Sequence, residues 1–182
     1  MLPLSIAGMA PPRAAESTAG MDEERFRLFY ERTARPLRGY LIRLLNDPAL
    51  ADDLLQESYL RLLKAKMPES VSEDHRKNYL FRIATNLMRD HKARRIEVAL
   101  NDEATNAAAH DTSCECDVAR LLAGLKPVQR ELLWLAYVER FSHCEIARIL
   151  SMKPQSIRPL LSRARHALAE ALRLGGFGEN VK

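Results

Sequence analysis

Asp52, Asp53, Gln56 and Glu57 bring carboxylates and an amide together on one short stretch. Such a set invites general acid–base or metal chemistry. Both need more than carboxylates on a solvated face, and no companion His motif accompanies these. His110, Cys114, Cys116 and Cys144 raise the separate idea of zinc. Their C-x-C spacing lacks a second ligand pair at a familiar interval, so no metal is expected. Cys144 reads instead as a small packing residue. There is no Gly-rich phosphate loop and no nucleophile beside a base. The chain therefore reads as a binder, not an enzyme, with no cofactor. The remaining chemistry is cationic. Arg82, Asn86, Arg89, Lys92, Arg94 and Arg95 form one polar, basic series, and Gln155, Ser156, Arg158, Ser162, Arg163 and Arg165 form another. Either series could meet a polyanion, or could be the solvated side of an ordinary helix.

Helices are needed to line these groups up. Over Asn78–Arg95, Leu80, Ile83, Ala84, Leu87 and His91 recur at helical spacing and make a core face. Arg82, Thr85, Asn86, Arg89 and Lys92 fall roughly opposite. Upstream, a helix from about Asp22 to Leu45 buries Phe26, Phe29, Tyr30, Thr33, Leu37, Tyr40, Leu41 and Leu44. Asn46-Asp47-Pro48 breaks it and starts the next, with Asp47 as N-cap and Pro48 at the first helical position. This second helix reaches about Ala65 and turns Ala51, Leu54, Leu55, Ser58, Tyr59 and Leu62 inward. Its outer stripe is Asp53, Gln56, Glu57, Leu60, Arg61 and Lys64. An apolar Leu60 among charges suits a protein-docking surface better than catalysis, although a solvated face is the commoner use of a charge run. Met67–Glu73 reads as a loop.

The 97–117 stretch is small, polar and acidic, as in a linker. About 20 residues reach at most roughly 65–70 Å. Periodicity returns at Val118 and continues through Pro127–Glu139 with Leu132, Leu133, Leu135 and Ala136. Trp134 and Phe141 read as core. Ser142 and Glu145 form a capping box that opens a short helix to Leu150. A tight turn at Ser151–Lys153 leads to a last helix, ended by Gly175-Gly176. A short capped helix, a turn and a longer basic helix have helix-turn-helix form, in which the second helix enters the major groove by its N-terminal residues. Arg can read guanine or clamp phosphate, and Gln can read adenine.

These elements predict an all-α chain of two small helical domains. The boundaries are a disordered leader (1–21), a first domain (22–96), a linker (97–117), a helix-turn-helix domain (118–174) and a tail (175–182). The 182 residues, 47% hydrophobic and 6% aromatic, fit helical cores. A net charge of +4 permits nucleic-acid binding without requiring it. The first twenty residues lack a basic n-region and a sustained apolar core, so no signal peptide is expected. The periodic pattern begins only after Met21, which makes Met21 an alternative start. Three cysteines are too few for a disulfide framework, and a cytoplasmic location with no membrane insertion is expected.

From about Phe26 to Leu172 the chain resembles the extracytoplasmic-function (ECF) sigma factors, small initiation subunits of bacterial RNA polymerase. Ala51–Leu62 is similar to the family's polymerase-docking helix. Tyr79–His91 with Arg94-Arg95 is similar to its promoter-melting, −10-reading helix. Leu125–Glu131 through Glu145-Ile146-Ala147 to Arg163-Ala164-Arg165 is similar to its −35-reading domain. The resemblance implies an alternative sigma factor that binds core RNA polymerase and promoter DNA, and is held by an anti-sigma factor. Asp52, Asp53, Gln56, Glu57 and Leu60 would face the polymerase's clamp coiled coil. Asn86 and its basic neighbours would meet the opened −10 strand, whose splayed bases and phosphates suit a cationic groove. The linker would let both domains engage together, adding avidity without new contacts.

The reading helix departs from the family pattern. Gln155-Ser156-Ile157-Arg158-Pro159 stands where Gly-Thr-Val-Lys-Ser is common. Pro159 lacks an N–H, so it fits only a helix that begins near Ser156, or else one that kinks. Ser151 stands where Gly is frequent. Two other readings remain: a standalone helix-turn-helix regulator, and an interaction module that never reaches DNA. The first has no use for Asp47–Arg95. The second predicts little salt dependence of DNA association.

Overall fold

Six helices, counted among the described residues, carry the fold: α1 (Glu23–Leu45), α2 (Pro48–Lys64), α3 (Glu73–Asn101), α4 (Pro127–Leu133), α5 (His143–Ile149) and α6 (Pro154–Leu174). The computed structural model describes residues 21–101 and 124–174. The expected leader, most of the expected linker, and the tail with Gly175-Gly176 lie outside these residues.

Local chemistry sets the helix ends. Asp22 accepts the Arg25 N–H at 2.7 Å, and Glu23 and Glu24 place negative charge in the first turn of α1. Asn46 takes the left-handed conformation (φ 56°), and its N–H reaches the Ile42 carbonyl at 2.8 Å. Asp47 then caps α2 through the Leu50 N–H at 3.1 Å, with Pro48 at the first position. The chain thus reverses within two residues, and α1 and α2 become antiparallel neighbours. Pro36 lies inside α1, where the exposed Arg32 carbonyl loses its helical donor.

The buried face of α2 is Ala51, Leu54, Leu55, Ser58, Tyr59 and Leu62, all as expected. In α1, Phe29, Thr33, Leu37, Tyr40, Leu41 and Leu44 are buried, Phe26 is half-buried and Tyr30 is exposed. The core hydroxyls of these helices find partners. The Thr33 and Tyr59 hydroxyls meet at 2.7 Å, and those of Tyr40 and Thr85 at 2.9 Å. Burial pushes the Tyr59 phenol up to about 12, and it also raises that of Tyr40, where the Glu131 carboxylate adds to the effect.

The third helix is longer than its apolar period indicates. It begins at Glu73 and continues to Asn101, five residues past the expected domain end at 96. Ser72 stands before it, and its hydroxyl accepts the His75 N–H at 3.3 Å. Arg76, only 5% exposed, donates to the Pro68 and Glu69 carbonyls and fastens the preceding loop. Thr85, expected on the polar face, is fully buried against Tyr40, and Met88 joins the core. His91, expected in the core face, is half-buried.

In the C-terminal half, α4 passes into a π-helical turn, Trp134–Val138, closed by Glu139 N–H on the Trp134 carbonyl at 3.1 Å. The capping box of α5 is formed: the Ser142 N–H reaches Glu145 Oε2 at 2.7 Å, and Ser142 Oγ accepts the Glu145 N–H at 3.4 Å. After α5, Ser151 adopts φ 55°. Its neighbour Met152 bonds back to the Ala147 carbonyl at 2.8 Å, and Ser151 to that of Arg148 at 3.4 Å. This pairing is the Schellman arrangement that glycine usually serves. Cys144 is exposed, contrary to its expected packing role, because Ile146, Ala147 and Ile149 take the inner side of α5.

The two halves share a core. One contiguous apolar cluster runs from α1, α2 and α3 into α4, α5 and α6, including Phe81, Leu135, Phe141, Ile146 and Ile157. No described helix is long and apolar enough to cross a membrane.

Candidate docking and nucleic-acid interfaces

Three surfaces carry the residues singled out by sequence. On α2, Asp53, Gln56 and Leu60 are exposed and Glu57 is half-exposed beside Arg61, which it pairs with at 2.7 Å. Leu60 is 49% exposed. Asp52 lies at the edge of this face and is engaged within the chain, because Arg38 grips it through two nitrogens, the second at 2.9 Å. That hydrogen bond holds the Asp52 carboxyl below its usual range, against the opposing effect of burial. The face thus offers Asp53, Gln56, Glu57 and Leu60 outward, with Asp52 already paired. No described group of His, Cys, Asp and Glu could hold a metal, and His110, Cys114 and Cys116 lie outside the described residues.

The basic series on α3 divides in two. Arg82, Asn86, Arg94 and Arg95 are exposed. Arg82 stacks over the Tyr79 ring, 4.9 Å from its centroid. Arg89 and Lys92 are half-buried, not open to solvent as the helical wheel implied. Arg89 donates to Glu131 Oε2 at 2.8 Å and to the Leu150 carbonyl at 3.1 Å. Lys92 donates to the Leu44 carbonyl at 3.1 Å, and its burial lowers its pKa despite the nearby Glu131 charge. The reason is tertiary: Glu131 of α4 and the Leu150 carbonyl after α5 close on Arg89, and the C-terminal end of α1 closes on Lys92.

The α6 helix presents Gln155, Arg158, Arg163 and Arg165 to solvent, with Ser156 and Ser162 half-buried. Ile157, Leu161 and Ala164 occupy the opposite, buried stripe. Arg165 also reaches the Tyr137 hydroxyl at 3.5 Å, the limit for a hydrogen bond. The helix starts at Pro154, so Pro159 lies beyond the first turn, unlike the expected start near Ser156. The helix continues through it. The Gln155 carbonyl loses its donor there, but Gln155 and Pro159 are both exposed, so water can take the bond.

Comparison with known proteins assigns both halves. The Sigma-70 region 2 family matches residues 29–96, and the Sigma-70, region 4 family matches residues 117–168. The chain belongs to the ECF sigma factors. Among its relatives, the ECF RNA polymerase sigma factor SigM of Bacillus subtilis is 27% identical over 140 residues, covering 71% of this chain and 83% of that one. The RNA polymerase sigma factor CarQ of Myxococcus xanthus is 28% identical over 158 residues, covering 82% and 90%. In fold, the chain matches the sigma factor RpoE of Bartonella quintana, solved in complex with the anti-sigma factor NepR. That match has a TM-score of 0.67 and 23% identity, over 81% of this chain and 96% of that one. An ECF sigma factor is an alternative sigma factor, and it directs promoter-specific transcription.

Sequence reasoning missed the seam between the two halves. Asn78 Nδ2 donates to Glu145 Oε1 at 2.7 Å, Lys77 pairs with Glu139 at 3.0 Å, and the Phe81 and Phe141 rings meet edge-on at 5.1 Å. Trp134 lies against α1, and a Cβ added to Gly39 would stand 3.6 Å from its ring. Phe141 and Trp134 were expected as core, but the core they complete is the shared one. A weak signal existed in Glu131, a carboxylate beside the apolar Leu132 and Leu133, which a solvated helix would not require.

Proposed function

We propose that this sigma factor divides its work among the three surfaces. Asp53, Gln56, Glu57 and Leu60 of α2, with Asp52 at the edge, dock on core RNA polymerase. Arg82, Asn86, Arg89, Lys92, Arg94 and Arg95 of α3 meet the −10 element as it opens. Gln155, Ser156, Arg158, Ser162, Arg163 and Arg165 of α6 lie in the major groove at the −35 element. The functional units follow the boundaries expected from sequence, 22–96 and 118–174, with α3 running on to Asn101 into the 97–117 connection. An anti-sigma factor is a further partner, by analogy with the complex in which the RpoE relative was solved.

The observation that carries the reading is the face-by-face exposure of α6. Its Gln155, Arg158 and Arg163 side chains are exposed, while Ile157, Leu161 and Ala164 anchor it to a formed helix-turn-helix. Arg158 and Gln155, near the helix start, are the base-reading candidates, and Arg163 suits a phosphate. The test is promoter selection by the reconstituted holoenzyme from a library randomised at both elements. Arg158→Ala relaxes preference at one −35 position, with about 1–3 kcal/mol lost there. Arg163→Ala weakens all sequences alike and flattens the salt dependence. Unchanged base preference with Arg158→Ala, Gln155→Ala and Ser156→Ala together would remove α6 from base reading.

A further inference from the structure

One cleft in the first domain shares no residue with the three surfaces. It measures about 240 Å³ and lies between the start of α1 and the loop that leads into α3. Arg25 and Arg32 of α1 and Arg76 of α3 line it. Met21, Leu28 and Val71 add apolar walls. Among the described residues that line it, Glu73 supplies the one carboxylate.

Arg76 decides the character of this cleft. It is 5% exposed, so its charge is largely withdrawn from water. Its Nη2 donates to the Pro68 and Glu69 carbonyls at 2.8 and 3.3 Å. Its Nε and Nη1 carry the remaining N–H groups, which have no partner among the described residues. Neither atom is sealed from solvent. Two neutral carbonyls leave the guanidinium its full charge, and a recessed charge of that kind favours an anion beside it. Arg32 and Arg25 do have carboxylates, Glu73 at 3.1 Å and Glu69 at 3.8 Å. Both pairs are about half exposed, and such pairs contribute little, so either guanidinium can turn to a new oxyanion. The three guanidiniums also outnumber these two carboxylates.

We propose that the cleft binds a small phosphate monoester. Its volume of about 240 Å³ lies below the roughly 300–1,000 Å³ of drug-sized pockets and equals the space of about eight waters at roughly 30 Å³ each. That suits a phosphate on a short carbon skeleton. The oxygens meet the arginine forks, and the carbons lie against Met21, Leu28 and Val71. A monoester carries close to two negative charges at neutral pH, where a carboxylate carries one, and it meets three guanidiniums here. It also fits better than a nucleic-acid backbone. A phosphodiester has a sugar on each side and meets exposed cations more readily than one recessed like Arg76. A bound monoester ties α1 to the start of α3, so the first domain gains stability as ligand concentration rises.

The test uses the full chain, with propyl phosphate as the probe. Amide NMR titration at constant ionic strength reads the affinity and locates the shifts, and circular dichroism follows thermal melting. The amides from Ser72 to Arg76 shift saturably, and Tm rises with probe concentration. Losing the charged hydrogen bonds of one guanidinium weakens binding about tenfold, so Arg76→Met costs about tenfold and Arg25→Gln with Arg32→Gln about a hundredfold. The double variant changes only exposed side chains, so it decides the matter where Arg76→Met loosens the loop. Arg27→Gln removes the same charge from α1 outside the cleft and leaves the affinity unchanged. Unaltered affinity in the double variant overturns the proposal. Shifts spread equally over Arg158 and Arg163 mark charge screening and also overturn it. So does the absence of a saturable shift at Ser72–Arg76, even where a dT oligonucleotide without a terminal phosphate shifts those amides, because the cleft then takes DNA backbone.

Discussion

Leu60→Asp is expected to separate core-polymerase docking from folding. Leu60 is 49% exposed on α2, beside Asp53, Gln56 and Glu57. Full burial of a leucine side chain is worth about 1.5–3 kcal/mol, so covering the remaining half contributes ~0.8–1.5 kcal/mol to docking. Leu60→Ala therefore weakens core binding about four- to twelvefold. The aspartate does more harm. It brings a new carboxylate into a dry contact, next to Glu57 one helical turn away, and the combined cost of ~3 kcal/mol corresponds to about a hundredfold. The fold is spared because Leu60 packs on no core. Exchanging Leu for Asp on a helix surface costs about 0.5 kcal/mol in propensity, a fall of ~1–2 °C in Tm for a chain of this size. Competition binding to fluorescent core polymerase at 0.15 M salt measures the first quantity, and thermal melting followed by circular dichroism measures the second. Unchanged affinity with Leu60→Asp would refute the docking assignment.

Three further outcomes concern stability. Tyr40→Phe strands the Thr85 hydroxyl, which now sits 2.9 Å from its partner in a dry core, and lowers stability by about 1–2 kcal/mol in urea unfolding; adding Thr85→Val restores part of the loss. Ser151→Gly relieves the left-handed residue at φ 55° and stabilises the helix-turn-helix by about 1 kcal/mol, read as a higher urea midpoint. Tyr40 and Tyr59 have raised pKa values when folded, so their neutral forms are favoured by folding. Their stability contribution is whole below the ordinary tyrosine pKa near 10 and drains away as pH climbs toward about 12, where Tyr59 titrates in the folded chain. Unfolding free energies measured from pH 8 to 12 should fall above pH 10, and more gently for Tyr59→Phe; equal slopes would contradict this.

Much of the fold could be read in advance where a helix has one partner side. The α2 core face was complete because its period contrasts cleanly with the outer Asp53, Gln56 and Glu57. The capping box at Ser142 and the start at Asp47-Pro48 are local chemistry, and both are formed in the fold. The third helix was harder. It is covered by α1 and α2 on one flank and by α4 and α5 on another, so its apolar stripe is broad and its polarity pattern weak. Thr85 looked polar and proved buried, because its partner Tyr40 lies 45 residues away. Arg89 and Lys92 looked free for the same reason: the Glu131 and Leu150 partners of Arg89 and the Leu44 carbonyl that takes Lys92 are distant in sequence, and local periodicity carries no trace of them. The exposed sites, Leu60 on α2 and Gln155, Arg158 and Arg163 on α6, were legible because nothing in the chain packs over them. Pro159 was misjudged by helix start: Pro154 opens the helix earlier than Ser156.

The central claim is that this chain programs core RNA polymerase to start transcription at promoters of its own. Run-off transcription with purified core polymerase and a library of promoter-bearing DNA tests it most directly. The account predicts discrete transcripts that require this protein, share a −10 and a −35 element at fixed spacing, and disappear with Leu60→Asp. No added transcript, under conditions where another sigma factor activates the same core preparation, would contradict it.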